Sequence, residues 1–357
     1  MNNFFTGLFL FISAAVSTAQ STVSFADSLR IKYNIPELAY AVVTADSVIE
    51  LQALGVQRVN TNFKAGVDDK FRIGSNTKTV TAYIAAVLVK QGKVKWETRF
   101  FDLYPELKTK SQAAFYDVSL QDLITFRVPL ISWTYTNDTP TINEIKGNEQ
   151  EQRCKFMSWV LQQNPDTVKK TYYWANPAYV AAGLMLEKAS GKDYKTLVAE
   201  LGKEVGIEFG FGQPNCKDEK QPWGHNADLV PEKPKQDYKL NWLCAAGNIH
   251  VSLPDYIKFI QLQLRGLAGK SNWFSAEEFN YMHYGLPGFS FGWQVHTDEV
   301  NRLRYAYHKG NPGSFLSKVY ICKSTGKAFV LFANVQSEEA EKGLTVLFDE
   351  LSKRYSK

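Results

Sequence analysis

The amino-acid sequence predicts an α+β fold: an antiparallel β-sheet flanked by helices, with a mostly helical lobe inserted between the two parts of the sheet. Three observations carry this expectation. A short helix and two β-rich runs open the folded region, a long stretch with few strand signals follows, and four β-type runs with a closing helix end the chain. Runs joined by short turns pair antiparallel, so the first and last segments belong to one sheet whose faces helices must cover.

The first residues stand apart. Phe4 to Val16 forms an apolar run, and the small residues Ser17, Thr18 and Ala19 precede Gln20. This pattern predicts a secretory signal peptide, residues 1–19, cleaved after Ala19, and hence a periplasmic or secreted product. A membrane anchor is the second reading, but the run is shorter than the about 20 apolar residues that a span requires. No later stretch is long and apolar enough to cross a bilayer, so no stable membrane span is expected.

Phe25 to Tyr33 reads as a helix, and Leu38 to Val43 and Val48 to Leu54 as strands around the turn Thr44 to Ser47. From Ser75 to Gln91, Val80, Ile84, Val87 and Leu88 recur at helical spacing, and Gly92 ends the pattern. Lys93 to Trp242 is mixed, with helical stretches at Lys155 to Gln163 and Tyr179 to Ser190. Pro254 to Leu264 reads as a helix capped by Ser252. The runs Phe289 to His296, Leu303 to His308, Leu316 to Cys322 and Ala328 to Val335 read as strands, and Glu338 to Tyr355 as a helix. The expected division is a sheet lobe over about 20–74 and 250–357 and a helical lobe over about 75–249, in one body without a linker.

Composition narrows the function. The 357 residues are 45% apolar and 22% charged, as in ordinary globular proteins, which excludes a disordered chain. The net charge of +5 is spread along the chain without a basic block, so nucleic acid is not an expected partner. His225, His250, His283, His296 and His308 lack metal-ligand spacing, and neither a metal nor another cofactor is expected. Cys154, Cys216, Cys244 and Cys322 lack C-x-x-C spacing; they read equally well as disulfide partners or as buried thiols. The segment Asn215 to Asp237, rich in Lys, Pro and Asp, reads first as a solvated surface loop and second as a lid or substrate-selecting loop.

The sharpest chemical signal is Ser75-Asn76-Thr77-Lys78 at a helix start. Residues three apart share a helix face, about 5–6 Å between Cβ atoms, so Lys78 reaches the Ser75 hydroxyl. A serine is a weak nucleophile alone, and an amine whose pKa is lowered by burial activates it. The helix start adds free N–H groups that favour anionic oxygen. Ser75 as a helix cap and Lys78 as a solvated side chain is the alternative for such a tetrapeptide alone.

Further motifs follow in order: Gln91-Gly92-Lys93, Tyr104-Pro105-Glu106-Leu107, Trp174-Ala175-Asn176, Ala245-Ala246-Gly247-Asn248 and His308-Lys309-Gly310 followed by Pro312-Gly313. With Ser75 and Lys78 these resemble the serine β-lactamase-like superfamily, which includes class C β-lactamases, penicillin-binding proteins and related esterases. The resemblance covers about residues 25 to 350. It implies an active site between a sheet lobe and a helical lobe, with Ser75 as nucleophile and Lys78 as base. It also implies Asn176 bonded to Lys78 and to substrate, His308 on an edge strand across the cleft, and an oxyanion hole from the amides of Ser75 and Asn311. Lys309, Gly310, Asn311 and Tyr173 are the implied substrate-binding positions. The implied substrate is a small molecule or peptide of the cell envelope, taken by a monomer.

Two positions depart from the pattern. Trp174 stands where the family has a catalytic tyrosine, and an indole N–H has no basic site with which to move a proton. Tyr173 and Tyr172 are adjacent and would need a local shift to supply a hydroxyl. Thr125-Phe126-Arg127-Val128-Pro129-Leu130 replaces the family's His-Thr-Ser-Gly turn. A pocket that binds substrate without turning it over is therefore the second functional reading.

Overall fold

A computed structural model describes residues 22–235, 238–298 and 302–355; the expected leader, residues 1–19, lies outside them. The elements in chain order are α1 (22–32), β1 (Glu37–Thr44), β2 (Val48–Gly55), β3 (Lys70–Arg72) and α2 (Thr77–Lys90). The inserted part holds α3 (Phe100–Leu103), α4 (Leu120–Ile124), α5 (Glu149–Gln162), α6 (Asn176–Ser190), α7 (Tyr194–Val205), β4 (Gly210–Phe211), α8 (Tyr238–Trp242) and α9 (Cys244–Gly247). Then come β5 (Ile249–Ser252), α10 (Leu253–Leu267), α11 (Ala276–Tyr284), β6 (Gln294–Asp298), β7 (Leu303–Gly310), β8 (Leu316–Cys322), β9 (Lys327–Ala333) and α12 (Glu338–Tyr355).

The main sheet has six antiparallel strands in the order β2-β1-β9-β8-β7-β6, so the opening hairpin does pair with the closing strands. Period-2 alternation sorts its side chains into two cores. Leu38, Tyr40 and Val42 of β1 pack with Leu331 and with Leu344, Leu347 and Phe348 of α12. Ala39, Ala41 and Val43 face the opposite way, toward Val80 of α2 and Ile257 and Phe259 of α10. With helices on both faces, β1 is apolar and buried along almost its whole length. The helix α2 is buried from Thr77 to Ala86, so it runs through the middle of the molecule and not along its surface.

The structure moves several boundaries. A 3-10 turn, Gly74–Asn76, precedes α2, so Ser75 lies just before the helix that was expected to start with it. The inserted part is mostly helical and also holds β4, which pairs with β5 in a short sheet of order β3-β5-β4. The expected strand Phe289 to His296 is only half strand. Residues 289 to 293 form a buried turn in which the Ser290 amide donates to the Trp293 carbonyl (2.8 Å) and Gly292 adopts φ +83°. A Cβ at Gly292 would lie 2.9 Å from Thr79 Cα and 3.0 Å from the Lys78 carbonyl oxygen. The apolar run imitates a strand because it packs against α2, and glycine allows the close approach.

All four cysteines are free thiols, with Cys244 and Cys322 buried. Among the described residues no helix is long and apolar enough to cross a membrane, and no cluster of His, Cys, Asp and Glu could hold a metal ion. The inserted helices carry a buried ion pair, Arg153 Nη2 to Glu187 Oε1 at 2.5 Å, whose carboxylate also accepts from the Tyr194 amide (2.8 Å). Glu187→Ala leaves the guanidinium buried with only the more distant Glu149 carboxylate at 4.0 Å. The variant is expected to lose about 3 kcal/mol of stability, read as a lower urea midpoint at unchanged slope.

Candidate active site

The turn that carries Ser75 is held from two sides. The Ile73 amide donates to the Ile249 carbonyl (3.0 Å) on β5, and the Ile249 amide donates to Thr77 Oγ1 (3.2 Å). On the β8 side Asn76 Nδ2 donates to Ser317 Oγ (2.7 Å), which donates to the Ile73 carbonyl (2.8 Å). The end of β7 presses on the same turn. A Cβ at Gly310 would come within 1.9 Å of the Ile73 carbonyl oxygen, and one at Gly74 (φ +50°) within 2.8 Å of the Asn311 amide nitrogen. Both glycines are thus required by contact between strand and turn.

Lys78 is fully buried, and its Nζ lies 3.0 Å from Ser75 Oγ, 2.9 Å from Asn176 Oδ1 and 2.6 Å from the Ala246 carbonyl oxygen. Burial pushes its pKa down to about 7, because an ammonium loses its hydration there. In the neutral form the amine has two hydrogens and one lone pair. Two neighbours, the Asn176 amide oxygen and the Ala246 carbonyl, can only accept, so both hydrogens go to them. The lone pair is left for the Ser75 hydroxyl, the one neighbour able to donate. Asn176 opens α6 ahead of Pro177, and its Nδ2 donates to the Trp133 carbonyl (3.2 Å), which turns Oδ1 toward Lys78.

Across from this pair lies His308, fully buried, with Nδ1 2.6 Å from the Gly292 carbonyl oxygen. Burial first, and then the Lys78 charge, push its pKa down to about 3. Trp174 closes the group: its ring centroid is 5.1 Å from Phe126, 5.5 Å from Phe289 and 5.7 Å from His308, and Lys78 Nζ stands 5.8 Å from its ring. The indole is 38% exposed, so it forms a wall and is not core. Behind it, the Arg127 guanidinium donates to the carbonyls of Thr171 (2.6 Å), Pro287 (2.9 Å) and Phe289 (3.0 Å). Arg127 thereby ties the Trp174 segment to the 287–289 turn, beside the ring contacts of Tyr172 and Trp174 with Phe289.

Ser75, Lys78, Trp174, Asn176, His308, Gly310 and Asn311 are therefore gathered in one place. Lys309 is not. Adjacent strand residues face opposite sides of the sheet, and Lys309 Nζ pairs with Glu341 Oε1 of α12 at 2.7 Å. Tyr173 also leads elsewhere: its amide donates to the Phe126 carbonyl (2.8 Å) and its ring meets Lys170. The Tyr172 hydroxyl accepts from Gln294 Nε2 (3.2 Å), so neither tyrosine takes the place of the missing phenol. The expected edge strand carrying His308 is an edge at that end only. β7 is an inner strand over residues 303 to 307, where it pairs with β6, but His308–Gly310 pairs with β8 alone, so only this end is an edge. A cavity of about 630 Å³ between α2 and α11, lined by Trp96, Phe274, Tyr281 and Phe291, contains none of the site residues.

The model of the family described as beta-lactamase matches residues 19–350. The chain belongs to the beta-lactamase family. Protein flp of Staphylococcus aureus (strain COL) is 21% identical over 334 residues, which are 91% of this chain and 65% of that protein. This chain thus spans 65% of the length of that curated relative. Among solved structures, the D-alanine carboxypeptidase AmpC from Burkholderia cenocepacia superposes with a TM-score of 0.71 at 18% identity, covering 95% of this chain and 100% of that one. The octameric penicillin-binding protein homologue from Pyrococcus abyssi gives 0.73 at 16% identity, covering 92% and 77%.

Membership of the beta-lactamase family accounts for the order in which the motifs occur. Two participants were not legible as site residues: the carbonyls of Ala246 and Gly292, which orient Lys78 and His308. Ala246 lies inside the Ala-Ala-Gly motif, so its position carried a signal. Gly292 carried none, because its part depends on how the 289–293 turn folds.

Proposed function

We propose that this beta-lactamase-family chain is an exported serine hydrolase that cleaves an amide or ester through an acyl-enzyme on Ser75, with Lys78 as the general base. The observation that carries this reading is the buried Lys78 amine, 3.0 Å from Ser75 Oγ, with acceptors at its other two contacts. Ser75 Oγ attacks the carbonyl carbon as its proton passes to Lys78 Nζ. The bond to the leaving group then breaks, and the leaving nitrogen or oxygen takes that proton. Water next attacks the acyl carbon, gives a proton to Lys78, and Ser75 recovers its hydrogen as the acid departs. The amides of Ser75 and Asn311 hold the oxyanion, and such donors contribute about 3–4 kcal/mol each to the transition state.

In this reading residues 1–19 direct the chain to the periplasm or the exterior, where the monomer meets cell-envelope peptides, lactams or esters. The cleft lies between a sheet lobe, about 20–74 and 250–357, and a helical lobe, about 75–249. The names of the carboxypeptidase and penicillin-binding relatives agree with such substrates.

Incubation with a fluorophosphonate or a fluorescent penicillin tests the reading. Intact mass is expected to show one adduct on the wild type and none on Ser75→Ala. Trp174 favours a second reading, a pocket that has lost turnover, because an indole cannot relay a proton. Absence of any adduct would select it.

Trp174→Tyr bears on the same point. The ring of Trp174 lies beside Lys78, so a phenol there brings a second proton carrier to the site. Hydrolysis of at least one ester or lactam is expected to rise several-fold. Unchanged rates over a broad panel would show that position 174 is not the family's tyrosine position.

A further inference from the structure

We propose that His308 reads the substrate through a lone pair: its Nε2 accepts a hydrogen bond from a substrate N–H or O–H. The site then selects uncharged amides or esters that carry such a donor beside the scissile bond over those that carry a carboxylate there. The inference rests on the Ser75 hydrolase reading and narrows its substrate class to esters and amides without a carboxylate beside the scissile bond, so that penicillins and peptides ending in a free carboxylate become the poorer substrates.

The tautomer follows from one contact. A carbonyl oxygen accepts only, so the 2.6 Å approach of Nδ1 to the Gly292 oxygen requires the hydrogen on Nδ1. Nε2 then presents a lone pair. That atom is buried and has no hydrogen-bond partner among the described residues, within a ring bordered by Trp174 at 5.7 Å and Phe289 at 5.9 Å. Buried polar atoms are rarely left unpaired, and an incoming donor would satisfy this one. Burial and the adjacent Lys78 keep the ring neutral at ordinary pH, which supports the assignment.

A carboxylate at this place brings acceptors only. It would set oxygen lone pairs against that of Nε2 in an aromatic surrounding where water cannot compensate. The nearby cations are committed: Lys78 to Ser75, Asn176 and the Ala246 carbonyl, Lys309 to Glu341 on the far face of the sheet, Lys318 to Thr345 on α12, and Arg127 to its three carbonyls. A lysine at position 308 would reverse the preference, because an ammonium donates and carries positive charge.

Three fluorophosphonates that share one scaffold test the proposal, with an arm ending in a secondary amide, a dimethyl amide or a carboxylate. The rate constant for labelling Ser75 of the purified protein, read by intact mass, needs no catalytic turnover. For the wild type the secondary amide is expected to react at least about tenfold faster than the carboxylate, with the donorless dimethyl amide between them. In His308→Lys the carboxylate reagent is expected to become the faster one. Should that variant not fold, the comparison of the three reagents on the wild type decides alone. Equal or faster labelling by the carboxylate reagent, or equal rates for the two amides, would overturn the assignment of His308 and leave the nucleophile standing. No labelling by any reagent would remove both.

Discussion

Ser75→Ala is expected to lower hydrolysis of any accepted ester or amide by about 10,000-fold or more, with substrate affinity little changed. The hydroxyl is the atom that would form the acyl bond, and among the described residues no second nucleophile hydrogen-bonds Lys78: its other hydrogen-bond partners are an amide oxygen and a carbonyl oxygen. The change removes one oxygen from a turn fixed by Asn76, Thr77 and their partners on β8 and β5, so the fold should survive it. Comparison of steady-state turnover with substrate binding by calorimetry checks the expectation. A variant that retains a tenth of the wild-type rate would place the chemistry elsewhere.

Lys78 gives the second large effect, and it carries a pH signature. Its pKa is held near 7, and the neutral amine is the form with a lone pair for Ser75. Activity is therefore expected to rise with pH, level above about 7, and fall about tenfold per unit below it. Lys78→Met keeps the length and the burial but removes the base. It is expected to cost about 100- to 10,000-fold in kcat and to abolish the inflection near 7. Two other shifted groups do not confuse the profile. Burial and then Lys78 push His308 down to about 3, and Lys318, lowered to about 8, lies against α12 on the opposite face of the sheet. An inflection near 7 that persists in Lys78→Met would assign the base to another group.

Much of this arrangement could be read from residue types alone. Ser75 and Lys78 are three apart at the start of an apolar periodic segment, so their meeting is a local matter. Asn176 and His308 lie 98 and 230 residues beyond Lys78, and only the order of motifs linked them to it. Lys309 shows where a simple rule was available and missed: a neighbour of an inward-facing strand residue faces outward. The run at 289 to 293 shows the opposite case. Its aromatic residues have a strand's composition, and the turn arises from the fit of Gly292 against α2, which no local pattern encodes. Ala246 and Gly292 act through carbonyl oxygens, and those are common to every residue.

The three carbonyls gathered by Arg127 have a dynamic consequence. They belong to two separate segments, one leading into Trp174 and the other into Phe289, and a fixed fork of N–H groups sets the distance between them. The aromatic surface beside the nucleophile is consequently shaped during folding. In the proposed hydrolase a ligand would meet a surface already set by this side chain and would lose little loop entropy on docking.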